Sequence, residues 1–274
     1  MLRLQNAWRL AKASWQVLFK DRELVAIPVV AGIVSLLVFL AIGGIGFAVV
    51  GGTDGVETGN VALWLFGVAA LVAATWVSAI GQAAVVAGAA ERMDGGDPTL
   101  SSAYAVARTR VARLLEWAAL ATIVAIVLDQ IEERLGVLGQ VVSWLGGIAF
   151  SVMSFLALPV IVFEDLGAIE AFKRSSRLLK TTWGEQIAFN FGTGLLGFVA
   201  ALPGIVIGGA LLASGLLLLQ VLGGIIAVVW IGLVAAVVTT LSAVFKAALY
   251  RWATGSAVDP AFTHDDLSNA FRRR

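Results

Sequence analysis

Residues 24–50 read LVAIPVVAGIVSLLVFLAIGGIGFAVV, twenty-seven positions without an ionisable side chain, closed by Gly51-Gly52-Thr53-Asp54. As a helix this run would be about 40 Å long, more than enough for a hydrocarbon core of about 30 Å. It is too long for the apolar region of a signal peptide, and no small-residue cleavage site follows cleanly, so it reads as a retained span. Five more apolar runs follow it: Val61 to about Ala90, Leu114 to Leu128, Val137 to Phe163, Ile187 to Ala213, and Leu216 to about Tyr250. The last two are separated only by Ser214-Gly215. The sixth run is longer than a straight span needs, so it must tilt strongly or give its first residues to the turn.

Composition agrees. Of the 274 residues, 59% are hydrophobic and 14% charged, whereas soluble domains carry about 45–50% apolar and about 25% charged residues. The expected fold is an all-α integral membrane protein of six transmembrane helices in three hairpins, a single membrane domain over residues 1–274. Zero Cys excludes disulfides and thiolate chemistry, and a single His excludes His-based metal clusters and a Ser-His-Asp triad.

Orientation follows from the basic residues. With a cytoplasmic N-terminus and six spans, eighteen of the nineteen Lys and Arg fall inside. Arg134 alone lies outside, among Asp54, Glu57, Asp129, Glu132 and Glu133. The positive-inside rule then places both termini in the cytoplasm.

The inside segments carry a pattern of their own. Leu4, Trp8, Ala11, Trp15 and Leu18 recur at helical spacing against Arg9, Lys12, Gln16 and Lys20. Phe172, Ser175, Leu179 and Trp183 do so against Lys173, Arg174, Arg177 and Lys180, and Tyr104, Ala107, Val111 and Leu114 against Arg108 and Arg110. These are expected to be amphipathic interfacial helices, anchored by Trp8, Trp15, Tyr104, Phe172, Arg174, Arg177, Lys180 and Trp183. Their openings match as Ala7-Trp8-x-x-Ala11, Ala103-Tyr104-x-x-Ala107 and Ala171-Phe172-x-x-Ser175. Each precedes two apolar runs, which makes a threefold parallel repeat with units at about 1–90, 99–163 and 166–250. A polar cytoplasmic tail, 254–274, follows.

The segment Leu158-Pro159-Val160-Ile161-Val162-Phe163-Glu164-Asp165, with Gly167, Ala171, Lys173-Arg174-Ser175, Leu178-Leu179 and Trp183-Gly184-Glu185, resembles the signature of an uncharacterised prokaryotic family of polytopic membrane proteins. Ser14-Trp15, Lys20-Asp21-Arg22-Glu23-Leu24 and Pro28 resemble it too. More distantly, the chain is similar to the membrane domain of glycerophosphodiester phosphodiesterases, whose catalytic domain is missing here. The resemblance implies a multi-pass protein of the prokaryotic cytoplasmic membrane and assigns no activity or site residue.

Ionisable residues are absent from the middle of every run. Gln82, Asn190 and Thr193 are the mid-membrane polar residues expected to line a pathway or bond between helices. Glu116, Glu164 and Lys246 lie near the inner ends. Glu116 has two readings, a pair with Arg113 three residues back or a contact with Lys246 that closes the bundle. Glu164 and Asp165 either gate or bind a ligand, or supply an acidic N-terminus for the third elbow helix.

The expectation is a non-catalytic membrane protein without cofactor: a scaffold, a membrane-organising protein or an accessory subunit. Its partners would be membrane lipids and other membrane subunits or copies of itself, with no nucleic acid. The alternative is an uncoupled channel or transporter for a small or lipid-like solute, as a homo-oligomer. Coupled transport would need charged or unwound sites at mid-membrane.

Overall fold

The computed structural model describes residues 23–50, 61–183 and 192–256, with the side chains at 23, 183 and 192–199 excepted. Among them the chain forms α1 (Glu23–Val49), α2 (Val61–Met93), α3 (Leu100–Thr109), α4 (Val111–Met153), α5 (Ala157–Glu164), α6 (Ala168–Trp183), α7 (Gly192–Leu212) and α8 (Leu217–Ala253). The first elbow helix with Trp8 and Trp15, residue Asn190 and the tail beyond 256 lie outside the described residues.

Four segments are long and apolar enough to cross a membrane: Leu24–Val49, Val61–Met93, Val111–Glu164 and Leu217–Ala253; Ala200–Leu212 is a shorter apolar helix. In hydrocarbon every backbone N–H and C=O must be satisfied within the protein, and a helix does this along its own length.

Helices α1 and α2 run antiparallel. Ser35 Oγ donates to Ala74 O at 2.9 Å, Gly46 faces Phe66, and Gly81 faces Ala31. Helix α4 is two limbs that reverse at Gly136, whose φ of 54° and ψ of −128° break the helix. Beyond the reversal Gly146 lies against Leu128, and the ring of Phe150 stacks on Trp117 at 5.9 Å between centroids. Helices α7 and α8 pair in the same sense. Trp230 Nε1 donates to Ala200 O at 2.9 Å, and Gly204 and Gly208 turn toward Trp230 and Ala227.

Helix α2 is the hub, packing on α1, α3, α4, α5 and α8, whereas α7 packs mainly on α8. The core gathers at one end of the bundle. Ala83, Val85 and Val86 of α2, Ala103 and Ala107 of α3, Leu114 of α4, Ile161 of α5, Leu179 of α6 and Val244 and Leu249 of α8 are buried there. Away from it, Leu37, Trp64, Val137, Leu138, Val206 and Val228 are exposed. Apolar surface of this extent suits lipid and not water.

Three details differ from the sequence expectation. The third run does not stop at Leu128, because the helix continues through Asp129–Arg134 until Gly136 reverses it. The fourth run is broken at residues 154–156 and resumes as α5. Pro159 explains the break. It has no N–H for the Phe155 carbonyl, and its ring clashes with a helical carbonyl four residues back. It therefore sits in the first turn of a new helix instead of ending an old one. The sixth run does not lend its start to a turn, since α8 is one helix of 37 residues.

Gly136 occupies backbone space that L side chains avoid at a cost of about 1–3 kcal/mol. At Gly139 an added Cβ would lie 2.8 Å from Glu132 Cα. Gly136→Val and Gly139→Leu are each expected to lower the unfolding midpoint in detergent by more than Gly43→Ala, since Gly43 has open space around it.

Candidate functional site

Helix α5 is the buried piece around which the polar residues collect. Its residues Ala157 to Val162 are all buried, so both helix ends need partners inside the protein. At the N-terminal end the Leu156 N–H donates to Ser175 Oγ at 3.0 Å, and Ser175 is fully buried on α6. At the C-terminal end Arg110 Nε donates to Val162 O at 3.2 Å. Arg110 can reach it because the chain breaks there between α3 and α4 (φ −109°, ψ 8°). A cation at a helix C-terminus also meets the negative end of the dipole.

From this point an ion-pair network spreads across the end of the bundle. Arg110 Nη1 lies 3.0 Å from Asp165 Oδ2, and Arg113 Nε lies 3.8 Å from the other oxygen. Asp165 takes the left-handed conformation that ends α5 (φ 55°), which Asp tolerates better than most residues. Arg113 Nη1 reaches Glu116 Oε1 at 2.9 Å, and Glu116 Oε2 accepts the Ala168 N–H at 3.3 Å. Glu164 accepts from Arg174 Nε at 3.0 Å and from the Tyr250 hydroxyl at 3.0 Å. Three arginines thus face three carboxylates drawn from α4, α5, α6 and the loop between the last two.

Of the two readings for Glu116, the structure places it against Arg113 and away from Lys246. The acidic start of α6 is also present, supplied by a different carboxylate. Glu116 meets the first N–H of α6, while Glu164 and Asp165 turn to arginines. Gly167 makes room for this, since a Cβ there would stand 2.9 Å from Glu116 Oε2 and 2.7 Å from Glu170 Oε2. Lys246 Nζ lies over the Phe155 ring, 5.2 Å from its centroid. Gln82 Nε2 donates to Ser78 Oγ at 3.3 Å, a bond inside its own helix. The side chains of Thr193 and Trp183 lie outside the described residues.

Among the interface residues, Lys173, Arg177 and Lys180 are exposed on α6, opposite buried Ala171, Ser175, Leu178 and Leu179. Phe172 is half-buried and stacks on Phe150 with centroids 5.5 Å apart. Arg174 departs from its neighbours and points inward to Glu164. Tyr104 packs on the core from α3, where burial pushes its phenol up.

A second clamp joins the last helix to the first hairpin. Arg251 Nη1 lies 2.9 Å from Asp94 Oδ2, its Nη2 meets Oδ1, and it reaches Ala90 O at 3.4 Å. The hydrogen bond from Arg251 holds the Asp94 carboxyl below its ordinary value of 3.8, partial burial pulls the other way, and the nearby positive charge adds to the lowering.

Tyr250 and Asp94 were not singled out by sequence reasoning, Arg110 and Ser175 were placed only on the faces of amphipathic helices, and Asp165 was named without its arginine partners. The available signal was the left-handed-prone Glu164-Asp165-Leu166-Gly167 and the Asp94-Gly95-Gly96 turn, and neither names its partner. Among the described residues no three His, Cys, Asp or Glu are grouped to hold a metal. The network is acid–base matched, which suits it to joining helices.

Residues 57–259 match the model of a family of unknown function, DUF6159. The chain belongs to that family. The match contains the network, both clamps and the signature from Leu158 to Glu185. No curated protein and no solved structure matches the chain, so the more distant likeness to glycerophosphodiester phosphodiesterase membrane domains finds no support in these comparisons.

Two outcomes follow for this DUF6159 protein. Arg174→Glu sets a carboxylate against Glu164 and strips Tyr250's acceptor of its counter-charge. It should cost about 2 kcal/mol or more, whereas exposed Arg177→Glu should stay within about 0.5 kcal/mol; chemical unfolding in mild detergent measures both. Because the folded value of Asp94 is lowered, its stabilising effect is complete above pH 3.8 and fades as pH falls through the folded value. Asp94→Asn should therefore be less stable than the parent at neutral pH, and the gap should close in acid.

Proposed function

We propose that this protein is a non-catalytic polytopic membrane protein that organises or scaffolds other components of the cytoplasmic membrane, or serves as an accessory subunit. The observation that carries this reading is the closed inner end. The apolar core is packed there, and Arg110, Arg113 and Arg174 are matched by Glu116, Glu164 and Asp165. An enzyme keeps acids, bases or a metal poised for a substrate; these carboxylates are instead held by arginines and helix ends. A channel needs a lumen, whereas a cleft of about 450 Å³ lined by Glu132, Gln140, Val141, Ser143 and Trp144 is open to the surface near the outer turn.

Counting both limbs of α4 and both members of the last pair gives six spans in three hairpins, with both termini and the elbow helices cytoplasmic. The basic asymmetry supports that orientation. The repeat is supported by equivalent burial. Ala103 and Ala107 of α3, like Ala171 and Ser175 of α6, are 0% exposed, and Tyr104 and Phe172 pack on the same core. Lipids are the expected partners along the exposed apolar faces, together with other membrane subunits or copies of the same chain.

The parent has no Cys, so single-Cys labelling is clean. Cys at Thr53 or Glu133 should react with an impermeant maleimide from outside, and reaction from the cytoplasmic side only would overturn the topology. Vesicles holding the purified protein should pass solutes no faster than protein-free ones under an imposed proton or sodium gradient. Gradient-driven accumulation abolished by Glu116→Gln or Glu164→Gln would overturn the scaffold.

A further inference from the structure

Lys246 stands apart from the balanced network. It lies within the segment Leu217–Ala253, apolar enough to cross a membrane, one turn from Tyr250, whose hydroxyl joins the network at Glu164. Its side chain is half-buried, and its ammonium rests over the Phe155 ring at 5.2 Å. Among the described residues no carboxylate lies within ion-pair distance of it. The carboxylates of the network are committed elsewhere: Glu116 to Arg113, Asp165 to Arg110 and Arg113, and Glu164 to Arg174. Among the described residues Lys246 therefore has no internal counter-charge, in an apolar segment where an unmatched charge is costly.

The surroundings indicate what offsets it. Helix α8 packs on α1, α2, α5 and α7 and meets α4 at most marginally. The second limb of α4 and the membrane part of α8 are thus not sealed against each other above Phe155. Ser242 and Thr239 lie one and two turns deeper on the same face of α8 as Lys246, and both are half-buried. Farther along the two helices Val141 and Val142 on α4 and Leu233 on α8 are exposed apolar side chains. A ligand that fits has a negative headgroup for the ammonium, ester oxygens for the hydroxyls and hydrocarbon for the rest.

The geometry points to a binding site for one anionic phospholipid of the inner leaflet, its headgroup phosphate held by Lys246 at the floor of the gap between α4 and α8. Phe155 backs the ammonium by a cation–π contact and keeps it aimed at the gap. The site rests on the proposed inner boundary near Tyr250 and is independent of whether the protein acts as a scaffold.

The test uses the purified full-length chain in a non-ionic detergent, titrated with phosphatidylglycerol, phosphatidylcholine or inorganic phosphate, with bound lipid counted by native mass spectrometry. The parent should bind one phosphatidylglycerol in preference to phosphatidylcholine, and Lys246→Gln should weaken that step roughly fivefold, the worth of one lipid-facing charge. Lys246→Arg should keep most of it, and exposed Lys180→Gln should change it little. Lipid-free, Lys246→Met should melt at or above the parent temperature, since it removes an unmatched charge, while added phosphatidylglycerol should raise the midpoint of the parent only. Equal phosphatidylglycerol affinity in the parent and Lys246→Gln overturns the site, as does equal binding of phosphatidylcholine. Inorganic phosphate that binds as tightly as the lipid overturns it as well, because the anion would then come from water. A Lys246→Met chain that is destabilised without lipid shows a structural lysine and likewise overturns it. These readouts do not depend on topology, so a failed Cys-labelling result and a failed lipid result are distinguishable.

Discussion

A helix of eight residues that is buried along most of its length cannot look to solvent for its end groups, and α5 is such a helix. An unsatisfied backbone group in an apolar surrounding costs several kcal/mol. The two solutions in this protein come from different parts of the chain: a buried hydroxyl on α6 at one end and a guanidinium from the α3–α4 break at the other. Placing Ser175 lays α6 against α5, and placing Arg110 draws the start of α4 to the same spot. Asp165 and Glu116 then fall within reach of Arg110 and Arg113, and the network follows from the capping.

The energies involved are modest. Half-exposed pairs such as Arg113–Glu116 contribute about 0–1 kcal/mol each, far less than the packing around Ile161 and Val244. Their value lies in choice of arrangement. Three helices, the α3–α4 break and a loop contribute six charges that match in this register, and a shifted helix would leave a carboxylate facing a carboxylate. Replacing the network by apolar residues could preserve stability and lose that discrimination, a use of buried polar groups attested in other helical assemblies.

Much of this was legible in the residues, and what was missed has a physical cause. Run length and hydropathy identify the apolar segments because the bilayer imposes a thickness. Of the expected stripe Phe172, Ser175, Leu179 and Trp183, the structure buries Ser175 and Leu179 and half-buries Phe172, while the Trp183 side chain lies outside the described residues. A reversal between the third and fourth runs was expected, but the helix that continues through 129–134 to Gly136 was not, because that acidic stretch resembles a loop in composition while charged residues remain good helix formers where water reaches them. In the sequence Pro159 reads as the proline that ends the fourth run, and the structure instead puts it in the first turn of α5, where proline is as welcome as it is hostile in an interior one. The inward turn of Arg174 was out of reach, because helical spacing alone does not say which cation finds a buried acid.

The uneven distribution of contacts also bears on how the protein is made. Helix α8 is the last described element to leave the ribosome, yet its final turns fill the space beside α1, α2 and α5. Until Val244, Ala247, Ala248 and Leu249 arrive, the inner ends of the earlier hairpins have an open seam. The N-terminal hairpin must therefore wait in the bilayer, inserted but not fully docked, through the synthesis of everything between. A chain cut short before residue 243 would lack the side chains of α8 that complete the core, and the part built from α2 to α6 would keep an open side.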